Sequence, residues 1–316
     1  MQKVLSSAPH MRGRETTSRI MLDVLIALMP TSVCAVYFFG LNALILILLS
    51  VGTAVATEGL IQFFTGKKVT IGDLSAAVTG LLIALNLPSG VPFYLPVVGS
   101  VFAIAIVKQC FGGLGSNFVN PALAGRAFLL ISFPVAMTSW VTPGVDAVAT
   151  ATPLAVMSGT SEGTMPMLMD MFLGNMPGCI GEVSTLALLA GAVYLLVRKV
   201  INIRIPAVYI GTVALIALIE ALVTGSELTL VLQHVLAGGL VLGAFFMATD
   251  YVTSPVSPWA QVIFAAGCGA VTMVIRLFGG YPEGVSFAIL FMNLFAPLLD
   301  RKFRPRVFGV GEVAAK

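Results

Sequence analysis

The chain has 316 residues, of which 58% are hydrophobic and only 10% charged, with a mean hydropathy of +1.01. A soluble domain carries roughly a quarter charged residues, so this composition excludes a soluble fold and implies a polytopic membrane protein. The net charge of +3 is no signal for nucleic acid, because the bases cluster at the ends of apolar segments.

A run of roughly 20 apolar residues crosses a bilayer, and shorter runs serve where a helix breaks. On that basis about ten transmembrane helices are expected, near 20–39, 42–64, 74–88, 93–110, 121–139, 183–198, 205–224, 229–249, 258–276 and 284–300. The first apolar run starts at Ile20 and is long enough to span, so no cleavable signal peptide is read. Lys3, Arg12, Arg14 and Arg19 precede the first span, Lys67 and Lys68 follow the second, and Lys108 ends the fourth. Arg198, Lys199 and Arg204 lie between the sixth and seventh, and Arg301, Lys302, Arg304, Arg306 and Lys316 form the tail. With both termini in the cytoplasm, fifteen of the seventeen bases lie inside, as the positive-inside rule demands. Arg276 falls outside, and Arg126 lies within the fifth span near its inner end.

The two halves look alike. GLLIALNLPSG (Gly80–Gly90) recurs as GAFFMATDYVTSP (Gly243–Pro255), and each is followed by an apolar run and FGG, at Phe111–Gly113 and Phe278–Gly280. Glu58 and Glu220 occupy matching places, 162 residues apart. Duplication of an odd number of helices inverts the second copy. The expected fold class is therefore all-α, two inverted five-helix repeats with broken helices. Its parts are a cytoplasmic N-terminus (1–19), a first repeat (20–139), an extracytoplasmic loop (140–182), a second repeat (183–300) and a cytoplasmic tail (301–316). The third and eighth spans end at breakers, Asn86 and Pro88 in one, Thr249, Asp250 and Pro255 in the other. Backbone freed at such breaks must face protein, water or a ligand, never lipid.

Cys34, Cys110, Cys179 and Cys268 are scattered without a CxxC and read as small hydrophobes. Four cluster ligands cannot come from this chain alone, although one cysteine could join a cluster shared with neighbours. His10 and His234 are too few for a dedicated metal site, and no metal is expected. Asn120-Pro121 has the grammar of a capped helix start. Arg126 is costly at membrane depth; it could snorkel to the inner surface, pair with an acid, or help hold a cofactor or partner. Asp23, Glu58, Glu220 and Asp250 are acids in or at the edge of spans and are candidates for an ion path. Trp140 and Trp259 suit membrane interfaces, and the methionines of Thr164–Phe172 suit core filling. The stretch DAVATATPL (Asp146–Leu154) is the polar, small-residue exception in the long loop, with Thr152 six residues after Asp146. A turn of small residues lets a modifying enzyme approach the hydroxyl.

Three longer strings carry a family resemblance. Ala8–Pro30 (APHMRGRETTSRIMLDVLIALMP), Asn117–Trp140 (NFVNPALAGRAFLLISFPVAMTSW), and FMATDYVTSP (Phe246–Pro255) with FGGYPEGVSFAILFMN (Phe278–Asn293) resemble the RnfD/NqrB family. These are integral membrane subunits of the Rnf and sodium-pumping NADH:quinone oxidoreductase complexes, and the short N-terminus favours the RnfD branch. The resemblance implies covalent FMN, joined by a phosphoester to Thr152, which ends Ala149-Thr150-Ala151-Thr152. Asp146, Thr150 and Pro153 belong to the same site. Ala149 stands where the family commonly has Ser and Thr150 where it has Gly, which leaves Thr150 as a second acceptor. Asp146 would help position the metal–substrate complex of the flavin transferase. Non-covalent riboflavin occurs in some relatives.

The function implied is relay of electrons between ferredoxin and NAD+, coupled to Na+ or H+ export across the bacterial inner membrane. Partners would be subunits A, B, C, E and G, with the flavin on the outer side. No side chain of this chain is expected to be catalytic, since the flavin ring does the redox chemistry. The alternative is a stand-alone urea- or ammonium-type channel or carrier; a third reading is a structural subunit without flavin.

Overall fold

Thr16 opens the first helix as an N-cap, its hydroxyl accepting from the Arg19 amide at 3.3 Å. The computed structural model describes residues 16–141, 151–159, 165–182, 184–280 and 283–303. Helix α1 (Thr17–Phe64) has 48 residues, about 72 Å at 1.5 Å per residue. That is more than twice a hydrocarbon core of about 30 Å. Gly40, at φ 67° and ψ −152°, divides it into two arms in a conformation closed to other residues. The arms cover the first two expected spans.

Next come α2 (Ser75–Leu85), α3 (Tyr94–Val101) running into a π-helical segment (Phe102–Gln109), α4 (Pro121–Ser132) and the short α5 (Pro134–Met137). The loop region contributes α6 (Pro153–Met157) and α7 (Leu168–Leu173). The second half supplies α8 (Thr185–Val197), α9 (Arg204–Thr224), α10 (Thr229–Leu236) and α11 (Leu240–Leu242), the last continuing as a π turn (Gly243–Met247). Helices α12 (Pro258–Phe278) and α13 (Val285–Lys302) complete it. Among the described residues there is no strand, only an isolated bridge between Pro88 and Cys179. The chain is an all-helical membrane protein. Helices α1, α9 and α12 are long and apolar enough to cross a bilayer by themselves. The pair α10 and α11 does so as a broken unit bent by 61°. Helices α2, α3 with its π extension, α4 and α8 are shorter apolar segments.

The shortest are the most enclosed. In α2 every residue but Ala77 is buried, the pattern of a helix sheathed by others rather than by lipid. It spans about 16 Å, roughly half the hydrocarbon core. Small residues let its neighbours approach: Ser50 on α1 donates to Gly80 O at 2.6 Å and lies 2.9 Å from Ser100 on α3. Between α9 and α12, the Tyr209 and Thr272 hydroxyls bond at 2.7 Å. The main core joins the first arm of α1 to α2, α4, α8, α9, α11, α12 and α13. The two halves therefore share one interior.

The closest approach is between α8 and α1, where a Cβ added to Gly191 would lie 2.0 Å from the Ala27 carbonyl oxygen. Small residues at such contacts are what membrane helices use in place of hydrophobic drive. Gly191→Ala is expected to force the helices apart and cost about 2 kcal/mol or more. Thermal unfolding of the detergent-solubilised protein reads this as a lowered midpoint. Leu186→Ala, on the exposed side of α8, should leave it nearly unchanged.

Candidate functional site

Thr152 lies directly ahead of α6, in extended conformation, with Pro153 as the first helical residue. Its hydroxyl accepts from the Ala155 amide at 3.2 Å. This is an N-cap, the same grammar as Asn120-Pro121, where Asn120 Oδ1 accepts from Ala122 and Leu123 at 3.0 and 3.3 Å. In the folded chain the Thr152 hydroxyl is covered, with the residue only 5% exposed. Leu154 anchors the segment, packing on Gly238 so closely that a Cβ there would meet it at 2.6 Å. Gly238 belongs to the break between α10 and α11. A small cavity of about 10 Å³ beside Thr152 is bounded by Pro153, Gly178, Glu182, Gly238 and Glu283. That is room for about one water. Asp146 and Thr150 lie outside the described residues.

Two wall residues of this cavity, Glu182 and Glu283, pair with Arg126, which α4 carries and which is 4% exposed. Its guanidinium donates to Asn86 Oδ1 at 3.1 Å, to Ser286 Oγ at 2.9 Å, to Cys179 Sγ at 3.4 Å, and to the Glu283 carboxylate. Glu182 Oε1 is 3.7 Å away. Of the three readings open for Arg126, pairing with an acid is the one the structure bears out; no snorkelling is needed. The 177–182 segment reaches the cluster by capping the end of α2: Ile180 N donates to Leu87 O at 3.0 Å and Gly181 N to Leu85 O at 2.8 Å. Cys179, donating to Asn86 O at 3.2 Å, is thus part of a polar junction and not the small hydrophobe its isolation suggested. Burial pushes its thiol well above the usual range. Burial, with Glu283 as a like charge, pushes the Glu182 carboxyl up to about 7. Ligand-type atoms of Cys179, Glu182 and Glu283 lie within 4.8 Å of one another. The Arg126 guanidinium already supplies the positive charge there, so the trio does not read as a metal centre.

The four candidate ion-path acids are held apart in separate contacts. Asp23 accepts from Tyr194 at 2.9 Å and Arg198 at 3.1 Å. Glu58 is enclosed by Lys108 at 2.8 Å, Gln109 at 2.8 Å and Gln62 at 3.4 Å. Lys108 also donates to Ser75 at 2.6 Å. The π-helical segment brings Lys108 and Gln109 to one carboxylate, and π turns often mark functional positions. Glu220 faces His234 Nε2 at 3.2 Å. Asp250 accepts from Thr253 at 3.0 Å and lines a cavity of about 380 Å³, with Lys108, Asn117, Asn120, Phe245 and Phe246 also on its wall. Sequence reasoning missed Lys108, Gln109, Glu182 and Glu283 as partners. The Glu58/Gln62 spacing of one helical turn was the one local signal.

A membrane protein with buried charges at helix breaks, and a capped threonine over them, is the class that fold and site define. The chain matches the NQR2, RnfD, RnfE family over residues 4–309, and it belongs to that family. It is 51% identical to the D subunit of the Na(+)-translocating ferredoxin:NAD(+) oxidoreductase complex of Acetobacterium woodii, over 98% of this chain and 96% of that one. It is 46% identical to the D subunit of the proton-translocating ferredoxin:NAD(+) oxidoreductase complex of Clostridium ljungdahlii, over 96% of both chains. The D subunit of the ion-translocating oxidoreductase complex of Escherichia coli K12 is 38% identical, over 96% of this chain and 98% of that one.

Removing Arg126 leaves the buried Glu182 and the partly buried Glu283 without the cation nearest them. Arg126→Gln is expected to cost about 3–5 kcal/mol, read as a lowered unfolding midpoint, with partial recovery in Arg126→Gln/Glu283→Gln.

Proposed function

We propose that this chain is the D subunit of an Rnf-type complex in the bacterial inner membrane, relaying electrons between ferredoxin and NAD+ and coupling them to export of Na+ or H+. The observation that carries this is near-full-length similarity, at 51% and 46% identity, to subunits whose names state that activity. One of those names specifies Na+ and the other protons, so membership alone leaves the ion at either. Nothing in the similarity favours the channel reading. The partners proposed are subunits A, B, C, E and G, and a flavin transferase during maturation.

The architecture in this reading is ten spans in two inverted five-helix repeats, both termini in the cytoplasm and the 140–182 loop outside. The short α2 and the bent α10–α11 pair support it, since half-length helices at matching places are the hallmark of such repeats.

The flavin anchor is Thr152, with FMN attached through its phosphate. The cap hydrogen bond is compatible with an ester at that oxygen. The hydroxyl serves the α6 cap as an acceptor only, and an ester oxygen keeps lone pairs for that bond. An attached group also places a negative charge at the cavity that Thr152 shares with Glu182 and Glu283. The neighbouring cavity of about 10 Å³ is too small for an isoalloxazine ring, so the ring would not occupy it. Because Thr152 is buried, the transferase acts before α6 packs onto Gly238. The larger cavity, of about 380 Å³ with phenylalanine and amide walls, lies within the range of small-molecule sites and suits non-covalent riboflavin. When bound, the flavins supply the one- and two-electron chemistry, while the chain orients them and excludes water.

Denaturing gels of protein made with the transferase should show ultraviolet flavin fluorescence that is lost in Thr152→Ala and kept in Thr150→Ala. A native band without fluorescence rules the anchor out. For the ion path, at least one of Glu58→Gln, Glu220→Gln and Asp250→Asn should lower ions exported per electron in proteoliposomes. Unchanged pumping in all three removes these acids from the path.

A further inference from the structure

Around the small cavity the two guanidiniums balance the two carboxylates in charge, but among the described residues their hydrogen bonds leave Glu182 with only a longer ion pair. Arg126 donates directly to Glu283. Arg276, the other buried guanidinium among the described residues, donates to the His234 and Ala237 carbonyls at 2.5 and 3.0 Å, the open end of α10. Glu182 has neither as a hydrogen-bond donor: Arg126 is 3.7 Å from its Oε1, beyond hydrogen-bond range. Oε1 is fully enclosed, has no hydrogen-bond partner, and faces Gly239, whose added Cβ would lie 2.8 Å away. Glu182 as a whole is 3% exposed, and it shares the one-water cavity with Thr152 and Glu283. A buried charged oxygen without a donor is expensive, and a carboxylate in that position is relieved by binding a cation.

We propose that Glu182 is a proton-exchange site, reached through Glu283 and the water-sized cavity, whose occupancy answers to the charge carried at Thr152. Glu283 gives the entry, since its side chain is 18% exposed against 2% for Glu182. Loading is the reaction of the Glu182 carboxylate with a proton from the outer aqueous phase to give the neutral acid, and unloading is its reverse. No other bond changes. A proton fits better than a metal ion, because the Arg126 guanidinium already stands among the same oxygens and a proton needs no further ligands. The groups facing Glu182 are Glu283, Arg126, Cys179 and Arg276. With both arginines and both glutamates ionised the set is neutral, so a phosphodiester at Thr152 makes it negative by one, and a proton on Glu182 restores neutrality. The direction in which burial and Glu283 move this carboxyl agrees. The linkage to Thr152 rests on the flavin anchor proposed above; the proton site itself does not.

The test is infrared spectroscopy of the purified complex titrated through neutral pH, which reads the carbonyl stretch of a protonated buried carboxyl. A titrating band present in the wild type and absent in Glu182→Gln is expected. Spectra of the two that superimpose overturn the site. Glu283→Gln should move the midpoint to lower pH by about one unit or more, because it removes a like charge and frees Arg126. If Glu182→Gln fails to assemble, this shift carries the test, and its absence overturns the proposal. Replacing choline chloride by sodium chloride should leave the midpoint in place; a sodium-dependent fall assigns the site to a metal ion and overturns a proton site. Thr152→Ala, shown dark by fluorescence, should lower the midpoint. An unmoved midpoint in dark protein breaks the linkage alone, whereas a variant that stays fluorescent refutes the anchor and leaves the Glu182 band standing.

Discussion

A helix that stops inside a membrane leaves carbonyls with no water to accept from, and the rest of this fold depends on how those carbonyls are met. At the end of α2 the donors are the amides of Ile180 and Gly181, supplied by the loop that follows α7. At the end of α10 they are the two nitrogens of Arg276. At the end of the π turn after α11, Asn120 donates to Met247 O at 3.3 Å. In each case the donor comes from a distant part of the chain. The breaks therefore act as the points at which the halves and the loop are fastened together.

Arg126 follows from the same constraint. A guanidinium carries five donors in a fixed plane, and at this depth each needs an acceptor. Its partners come from the end of α2, the start of α13, the segment before α13 and the loop floor. A lysine could neutralise one carboxylate but could not span four elements, so the choice of arginine is architectural as well as electrostatic.

The helix positions were legible because apolar length is a local property: each segment expected to span holds helix, and three of these helices, with one bent pair, are long and apolar enough to cross a bilayer. Asn120-Pro121 was legible for the same reason. Thr152-Pro153 has identical grammar, yet it drew notice as a modification signal and not as a cap. What could not be read were pairings between residues far apart in the chain: Arg126 with Glu283 is a separation of 157, and Lys108 with Glu58 one of 50. Glu58 and Glu220 show the limit most clearly. Their matching places suggested equivalent roles, but one is clamped by a lysine and two amides while the other, partly exposed, faces a buried histidine. Sequence place suggests a correspondence, and the neighbours fix the chemistry.

Among the described residues, the Arg126 cluster and the large cavity meet at Asn86, Met247 and Asn120. The Arg126 cluster under Thr152 ends at Asn86, and the wall of the large cavity includes Asn120, Phe245 and Phe246. Between them, Asn86 Nδ2 lies 3.9 Å from Met247 Sδ, and Asn120 holds the backbone of the same methionine. Asn86 is simultaneously a partner of Arg126 and the terminus of α2. A change in charge beside Thr152 that alters the hold of Arg126 on Asn86 thus reaches the end of one broken helix directly and the end of the other through a single side chain. Coupling across a membrane protein requires an element that both sites can bias, and the helix ends at Asn86 and Met247 are where the contacts of the two regions meet.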